Sequence, residues 1–198
     1  MIKSITTLNR KAGPGHVVLI HGLFANSGYW LPYLRMFKNE KISLIDLDYE
    51  HLLKSGSLEC VLSELREIDA NKIIGHSFGS ILASRMQSAG VDTHIICPVL
   101  FSSRKNEKTF KQELKTKLEG VRFDHISEIL RLSGFFLKDL DGASVLNEKI
   151  GVHLPYIDLF FEYSIPKEAK VSYYQGDHFD IFQAISNIQN ASKPRVIA

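Results

Sequence analysis

Cysteine is scarce in this 198-residue sequence, and the two that occur, Cys60 and Cys97, stand far apart. They match no metal-binding spacing and are too few to cross-link a fold, so both are expected to be buried free thiols. No stretch approaches the roughly 18 apolar residues of a membrane span, and the N-terminus lacks the apolar segment of a signal peptide. We therefore expect a cytoplasmic protein with no membrane partner.

A large net charge is also missing. The sequence has 24 lysines and arginines against 22 aspartates and glutamates. This balance argues against a nucleic-acid partner, because such proteins usually carry a clear excess of positive charge. The length and the 44% hydrophobic content suit one domain, residues 1–198, with its own buried core.

Five short apolar runs, rich in β-branched residues, alternate with segments of helical spacing. Their near-continuous hydrophobicity is typical of strands covered on both faces, as in a parallel sheet. The runs are "HVVLI" (16–20), "KISLIDL" (41–47), "NKIIG" (71–75), "THIICPVLF" (93–101) and "KVSYY" (170–174). The alternation predicts an α/β fold, a mostly parallel sheet flanked by helices. It lapses over about 102–168, where amphipathic sequence predicts a helical lid insertion.

The segment "NKIIGHSFGSILASRM" has the order strand, tight turn, helix, with Ser77 at the turn. This context is typical of a nucleophile elbow. Gly75 and Gly79 lie two residues on either side of the serine, where a side chain would collide with the adjoining strand or helix. The turn would present the Ser77 hydroxyl at the carboxyl end of the sheet, at a helix N-terminus that favours negative charge.

A second motif, "LIHGLFANSGYW", follows the first strong strand. A His-Gly pair at this place is expected to form part of an oxyanion hole when an elbow follows downstream. The expected donors are the backbone N–H groups of Leu23 and Phe78, with His21 beside them in the substrate-binding part of the site.

With these motifs the sequence resembles the α/β-hydrolase superfamily. "VVLIHGLFANSGYW" and "IIGHSFGSILASRM" carry the resemblance, together with a looser match from "ILRLSGFFLKDL" to "QGDHFDIF". The looser stretch resembles type II thioesterases, and the first part resembles carboxylesterases that act on the methyl ester of pimeloyl-carrier protein in biotin synthesis. The resemblance implies a parallel sheet with a Ser-acid-His triad. This chemistry needs no metal and no organic cofactor.

The C-terminal part departs from the resemblance, because it looks shortened, with one strand where two are expected. "VSYYQGDHFDIF" therefore has two interpretations. In the first, His178 is the catalytic base, because a serine hydroxyl needs an imidazole within hydrogen-bond reach. In the second, Asp180, or less readily Asp177, is the acid and the histidine is missing. We favour His178 as base and place Asp158 in the lid. The acid stays open between Asp180, which we favour, Asp177, and no carboxylate at all, in which case a water or a carbonyl would take its place at a cost in rate.

Between residues 102 and 122 the sequence has seven basic residues against three acidic ones. They are Arg104, Lys105, Lys108, Lys111, Lys115, Lys117 and Arg122 against Glu107, Glu113 and Glu119. A solvated helix face is the ordinary explanation. The alternative is a docking surface for an acidic acyl carrier protein bearing phosphopantetheine.

These patterns predict a serine hydrolase that cleaves an acyl ester or thioester through an acyl-enzyme intermediate. Two alternatives stay open at this point. The chain could be a catalytically inactive hydrolase-fold protein that serves as a scaffold, or an acyltransferase in which an alcohol or amine replaces water. The distance from His178 to Ser77 discriminates the scaffold from the enzyme.

Overall fold

A central sheet organises the chain in this computed structural model, which describes residues 1–86, 90–105, 107–118, 122–138 and 149–191. The strands are β1 (Ile2–Leu8), β2 (His16–Ile20), β3 (Lys41–Leu47), β4 (Lys72–His76), β5 (Asp92–Ile96), β6 (Ser102–Arg104), β7 (Ile150–Pro155), β8 (Phe161–Tyr163) and β9 (Lys170–Tyr174). Seven of them form one sheet in the order β1-β3-β2-β4-β5-β7-β9. The pair β1–β3 is antiparallel and the other pairs of this sheet are parallel. The mostly parallel sheet expected from the sequence is confirmed.

Helices cover both faces of this sheet. They are α1 (Tyr49–Ser55), α2 (Glu59–Arg66), α3 (Gly79–Arg85), α4 (Glu107–Lys117), α5 (Phe123–Lys138) and α6 (Phe182–Ala191), with 3-10 helices at Ser27–Phe37 and Val99–Phe101. No helix among the described residues combines the length and the hydrophobicity needed to cross a membrane.

Strand β2 is buried along its whole length because each of its faces packs against a separate core. In β2, Val18 and Ile20 belong to a core shared with α1, α2 and α3. Val17 and Leu19 point to the opposite core, shared with the 3-10 helix Ser27–Phe37 and with α6. Successive side chains of a strand alternate between faces, so a strand buried on both faces needs apolar residues at every position.

Strand β7 lies inside the interval that the sequence predicted as lid. It pairs with β5 and β9 and is part of the central sheet. Its sequence conceals it, because Gly151 and Pro155 are both disfavoured in strands. Gly151 has a packing reason, since a Cβ there would lie 2.6 Å from Nδ1 of His94. With β7 and β9 both present, two strands occupy the region where the sequence suggested only one.

Helices α4 and α5 are the helical part of that interval, and we call them the cover. Their apolar side chains meet in a third cluster, which includes Phe110, Leu114, Ile126, Leu130 and Phe161. Strands β6 and β8 form a two-stranded antiparallel sheet next to the cover. Phe161 of β8 contributes to the third cluster, so this small sheet and the cover pack together over the carboxyl ends of the central strands.

Candidate active site

Ser77 lies in the sharp turn between β4 and α3. Its φ of +52° falls in the left-handed region, where a residue with a side chain is strained. The flanking glycines are required by close backbone approach. A Cβ on Gly75 would lie 2.4 Å from the carbonyl oxygen of Gly79, and one on Gly79 would lie 2.5 Å from the carbonyl oxygens of Ile20 and His21. The strained turn therefore has the form expected of a nucleophile elbow.

The imidazole of His178 lies next to this serine. Its Nε2 atom is 3.1 Å from Oγ of Ser77, a hydrogen-bond distance. His178 sits in the loop between β9 and α6 and is only 2% exposed. The two residues are separated by 101 positions, and the sheet brings them together because both follow the carboxyl ends of parallel strands.

The carboxylate beside His178 belongs to Asp158, which the sequence analysis had placed in the lid. Asp158 follows the carboxyl end of β7, and its Oδ2 is 3.4 Å from Nδ1 of His178. The hydroxyl of Tyr163 donates to the same oxygen at 2.6 Å and lies 3.3 Å from Nδ1. Asp158 thus reaches the imidazole directly and through Tyr163. An aspartate placed directly after a strand was the signal available in the sequence, but β7 itself had to be recognised first.

Hydrogen bonds and the neighbouring imidazole keep the Asp158 carboxylate ionised although it is buried. Its Oδ1 accepts hydrogen bonds from the N–H groups of Phe160 and Phe161 at 2.8 and 3.0 Å. Burial opposes the charge, but His178, Tyr163 and the backbone outweigh it and hold the pKa of Asp158 below its ordinary value. The carboxylate is therefore a fixed negative charge facing the imidazole.

The two aspartates that flank His178 in sequence have other contacts. Oδ1 of Asp177 accepts from the N–H groups of Phe179 and Asp180 at 2.6 and 2.8 Å, which closes the loop. Oδ1 of Asp180 accepts from the N–H of Phe182 at 3.3 Å, at the start of α6. The geometry thus replaces Asp180 by Asp158 as the carboxylate that contacts His178. Neighbours in such a tight loop bond to their own backbone, because the side chains are too short to turn back.

The protonation of His178 reflects its surroundings. Burial disfavours the charged ring, but Cys97 and Asp158 together outweigh it and raise the pKa of His178 to about 9. A charged imidazole is thus stabilised at this position. At neutral pH the ring is mostly protonated, and the neutral form that can accept a proton from Ser77 becomes dominant only in alkaline solution.

The segment around Gly22 passes directly over the serine. A Cβ on Gly22 would lie 2.8 Å from Cβ of Ser77, so only glycine fits there. Leu23 and Phe78 line the same cavity as Ser77. The next residue, Phe24, has a φ of +62°. The two residues predicted to supply the oxyanion donors therefore border the same cavity as Ser77.

His21 points away from the cavity, contrary to its predicted place in the substrate-binding part. Burial lowers the pKa of its ring, so the neutral ring donates from Nδ1 to the Gly22 carbonyl at 2.8 Å and accepts at Nε2 from the N–H of Leu47 at 3.3 Å. The hydroxyl of Tyr49 donates to the His21 carbonyl oxygen. His21 therefore connects the end of β2 to the end of β3 and supports the backbone at Gly22 from the side opposite the cavity.

His76, the neighbour of Ser77, was not singled out in the sequence for any role. Its Nε2 donates to the carbonyl oxygen of His178 at 2.8 Å, and its ring stacks on Tyr29 with centroids 4.8 Å apart. Burial and the neighbouring His178 lower the pKa of His76 to about 3, so the ring stays neutral. His76 thereby anchors the backbone of the residue that faces Ser77.

A cavity of about 290 Å³ opens at Ser77 beneath the cover. Its lining is mostly apolar, with Phe110 and Leu114 from α4 and Leu130 and Leu137 from α5. Lys117 also lines it, and its Nζ lies 4.8 Å from the centre of the Phe179 ring. The cavity suits an apolar chain whose end lies at Ser77, and the Lys117 ammonium group places a cation near that chain.

The thiols differ from the sequence expectation in one case. Cys97 is buried as predicted, whereas Cys60 is exposed. Cys97 directly follows the end of β5 with a φ of +51°, and its sulfur lies 3.1 Å from the hydroxyl oxygen of Tyr174.

Comparison with solved structures identifies the fold. The NocB thioesterase domain, solved as a covalent complex with a fluorophosphonate nocardicin G analog, superposes with a TM-score of 0.66 at 13% identity and covers 94% of this chain and 96% of its own. The N-acyl homoserine lactonase AidH, complexed with N-butanoyl homoserine, gives a TM-score of 0.62 at 11% identity, covering 94% and 89%. A carboxylesterase from Nitrososphaera gargenis gives 0.58 at 16% identity, covering 95% and 91%.

These neighbours share the α/β-hydrolase fold, and the fold predicted from the sequence resemblance is thereby confirmed. No protein-family model matches the sequence, and no curated protein matches it in sequence. At such low identities the structural similarity establishes the fold alone, so the activity has to be argued from the site.

Proposed function

We propose that this chain is a serine hydrolase that cleaves an acyl ester or thioester, with Ser77 as nucleophile, His178 as base and Asp158 as acid. The observation that carries the proposal is the continuous contact from Ser77 Oγ to His178 Nε2 and from His178 Nδ1 to Asp158 Oδ2. An inactive scaffold has no need to hold a buried histidine between these groups. The fold of known thioesterases and carboxylesterases agrees with this chemistry.

The reaction follows from the proton positions. Ser77 gives its proton to Nε2 of His178 as Oγ attacks the acyl carbon, and Asp158 holds the other ring proton on Nδ1 and stabilises the charged imidazole. The negative charge that develops on the acyl oxygen is stabilised by the N–H groups of Leu23 and Phe78. His178 then protonates the departing alcohol or thiol, which leaves the acyl group bonded to Ser77.

Water completes the cycle. His178 removes a proton from a water molecule, which attacks the acyl-enzyme and forms a second tetrahedral intermediate with its charge at the same two donors. When this intermediate collapses, His178 returns the proton to Ser77 and the carboxylic acid leaves. If an alcohol or amine takes the place of water, the same site becomes an acyltransferase.

The cavity supports an apolar acyl group. The side chains from α4 and α5 that line it are aliphatic or aromatic, and an acyl chain buried against them loses its contact with water. The cover therefore provides the acyl pocket, while the polar groups of the site surround the bond that breaks.

Turnover of small nitrophenyl esters of increasing acyl length tests the proposal. Ser77→Ala and His178→Ala should each lower kcat by at least about a thousandfold. Ser84→Ala is the matched control, because Ser84 is buried in the same helix as the elbow and bonds to the carbonyl of Ile81. Equal activity in all four proteins would refute the proposed nucleophile. Faster release of nitrophenol with added alcohol, together with a new ester product, would assign the chain to acyl transfer.

We further propose that the acyl group arrives on an acidic carrier protein. Lys108, Lys115 and Lys117 are exposed on α4, and Lys117 reaches the cavity itself. Some of the basic residues also have partners within the chain: Lys117 pairs with Glu113, Lys105 donates to the carbonyl of Asp158, and Arg122 pairs with Asp124. The side chains of Arg104 and Glu107, and all of Glu119, lie outside the described residues.

Charge reversal separates carrier docking from catalysis. Replacing Lys108, Lys111 and Lys115 with glutamate should raise KM for a carrier-bound acyl thioester and leave a small ester unaffected, an effect that salt weakens. The control is the same reversal at Lys3, Arg10 and Lys11, on and beside the edge strand β1, which changes the net charge equally. An unchanged KM for the carrier-bound substrate would show that the basic residues are only a solvated helix face.

A further inference from the structure

The thiol of Cys97 is buried beside the triad and takes no part in the proton transfers of the proposed hydrolysis. Its sulfur, a ring nitrogen of His178 and a carboxylate oxygen of Asp158 all lie within 4.8 Å of one another. The three residues are 0%, 2% and 5% exposed. They follow the carboxyl ends of β5, β9 and β7, so the sheet itself brings sulfur, nitrogen and oxygen donors to one point.

This donor set matches the preferences of Zn²⁺. Zinc binds thiolate, imidazole and carboxylate, at about 2.3 Å for sulfur and about 2.0–2.2 Å for nitrogen and oxygen. In a tetrahedral site, such bonds put neighbouring donors about 3.5 Å apart. Closing the cluster from its present spacing requires movements of about 1 Å, which side-chain rotations can supply. The thiol would lose its proton to solvent, since the thiolate is the form that binds metal.

We propose that Cys97, His178 and Asp158 form an inhibitory site for Zn²⁺ or a similar thiophilic divalent ion. The hydroxyls of Tyr163 and Tyr174 now contact two of the donors, the Asp158 carboxylate and the Cys97 sulfur, and the ion takes their place. Ion binding needs no hydrolytic activity, whereas the inhibition rests on the proposed function.

The inhibition follows from the two nitrogens of one ring. Nε2 of His178 faces Ser77 and Nδ1 faces Asp158 and Tyr163. A metal ion on Nδ1 displaces the proton that this nitrogen carries in the active form, and the neutral ring then carries its proton on Nε2. Ser77 faces an N–H donor in place of a lone pair, so its proton has no acceptor and the attack on the acyl carbon stops.

Binding is tested first, without reference to activity. Co²⁺ titrated into the reduced protein should give the near-ultraviolet absorption of a cobalt–thiolate bond with one ion per chain, and Zn²⁺ should abolish it. Cys97→Ser and Cys97→Ala should both lose this absorption. Cys60→Ser is the matched control, because Cys60 is the exposed thiol, and it should keep the signal. Absence of the signal in the wild type, or its loss in Cys60→Ser alone, would overturn the inference.

Inhibition is tested on the same proteins with a small ester. Zn²⁺ should lower the rate, and a chelator should restore it. The concentration of Zn²⁺ that halves each protein's own metal-free rate should rise at least about tenfold in both Cys97 variants. Loss of a residue that only hydrogen-bonds to a metal ligand already lowers metal affinity about 10–100-fold, and loss of a ligand itself costs no less. Equal sensitivity of wild type and Cys97 variants would overturn the inference.

The failures of the two proposals are distinguishable. A Cys97-dependent cobalt signal in a protein without turnover would leave the metal site standing and remove the hydrolase. Turnover that depends on Ser77, in a protein that shows no cobalt signal, would leave the hydrolase standing and remove the metal site.

Discussion

Replacing Asp158 with asparagine isolates what the carboxylate does for the neighbouring imidazole. The asparagine can keep its oxygen on the N–H groups of Phe160 and Phe161, which now bond to Oδ1. It then turns an amide NH₂ toward Nδ1 of His178, and this donor favours the tautomer with its proton on Nε2. Ser77 loses its acceptor. The analogous change in a serine protease, a known case, lowers kcat by about 10⁴, or about 5 kcal/mol in activation free energy.

Steady-state hydrolysis of a nitrophenyl ester measures this loss, with thermal unfolding run in parallel to show that the fold is kept. Asp180→Asn is the matched control, because Asp180 follows the histidine by two positions and its carboxylate accepts from the N–H of Phe182. Its kcat should stay within a few-fold of the wild type. A large loss in Asp180→Asn with normal activity in Asp158→Asn would refute the assignment of the acid.

Three further predictions concern strain, rate and stability. Gly75→Ala should lower the free energy of unfolding in urea by about 1–3 kcal/mol, because the new Cβ would meet the Gly79 backbone. Gly134→Ala in α5, where a Cβ meets nothing within 4 Å, should raise it by up to about 1 kcal/mol; equal effects of the two substitutions would contradict the packing argument. Because the pKa of His178 is raised to about 9, kcat/KM should increase with pH and reach a plateau above that pKa; a plateau already reached at pH 6 would contradict this prediction. The charged ring contributes its full stability below about pH 6.5, and this contribution should be lost as the pH rises from about 6.5 to 9. Burial and the nearby His94 lower the pKa of His153 to about 3, so the stability that this histidine contributes above about pH 6.5 should fall by about 2 kcal/mol at pH 5. His153→Gln should make the acid loss of stability smaller by about that amount, while His76, whose pKa is also about 3, keeps its own contribution; an unchanged pH dependence in the variant would disprove the prediction.

The sequence was sufficient for those strands that are buried on both faces. The runs 16–20, 41–47 and 170–174 coincide with β2, β3 and β9, because continuous apolar sequence is needed wherever both faces of a strand meet a core. The edge strand β1 was missed, since "IKSITTL" has four exposed residues and no apolar run. Strand β7 was missed because a glycine and a proline interrupt its pattern, although Gly151 is there to make room for His94.

The site residues likewise divide into those that the sequence predicted and those that it did not. Ser77 and His178 could be predicted from short local motifs, because the glycines and turns of these motifs depend only on neighbouring residues. Asp158 and Cys97 join them only because four strand ends lie at one edge of the sheet, and this arrangement depends on the order of strands rather than on any local pattern. Missing β7 therefore led directly to Asp180 as the predicted acid.

Covalent labelling of Ser77 tests the central claim most directly. A fluorophosphonate should add once to the native chain, and mass spectrometry should place the adduct on the peptide that contains Ser77. Ser133→Ala should still be labelled, because Ser133 lines the same cavity but donates its hydroxyl to the carbonyl of Leu130. Ser77→Ala should stay unlabelled. A wild-type chain that resists the reagent at alkaline pH, or an adduct on any other serine, would contradict the account.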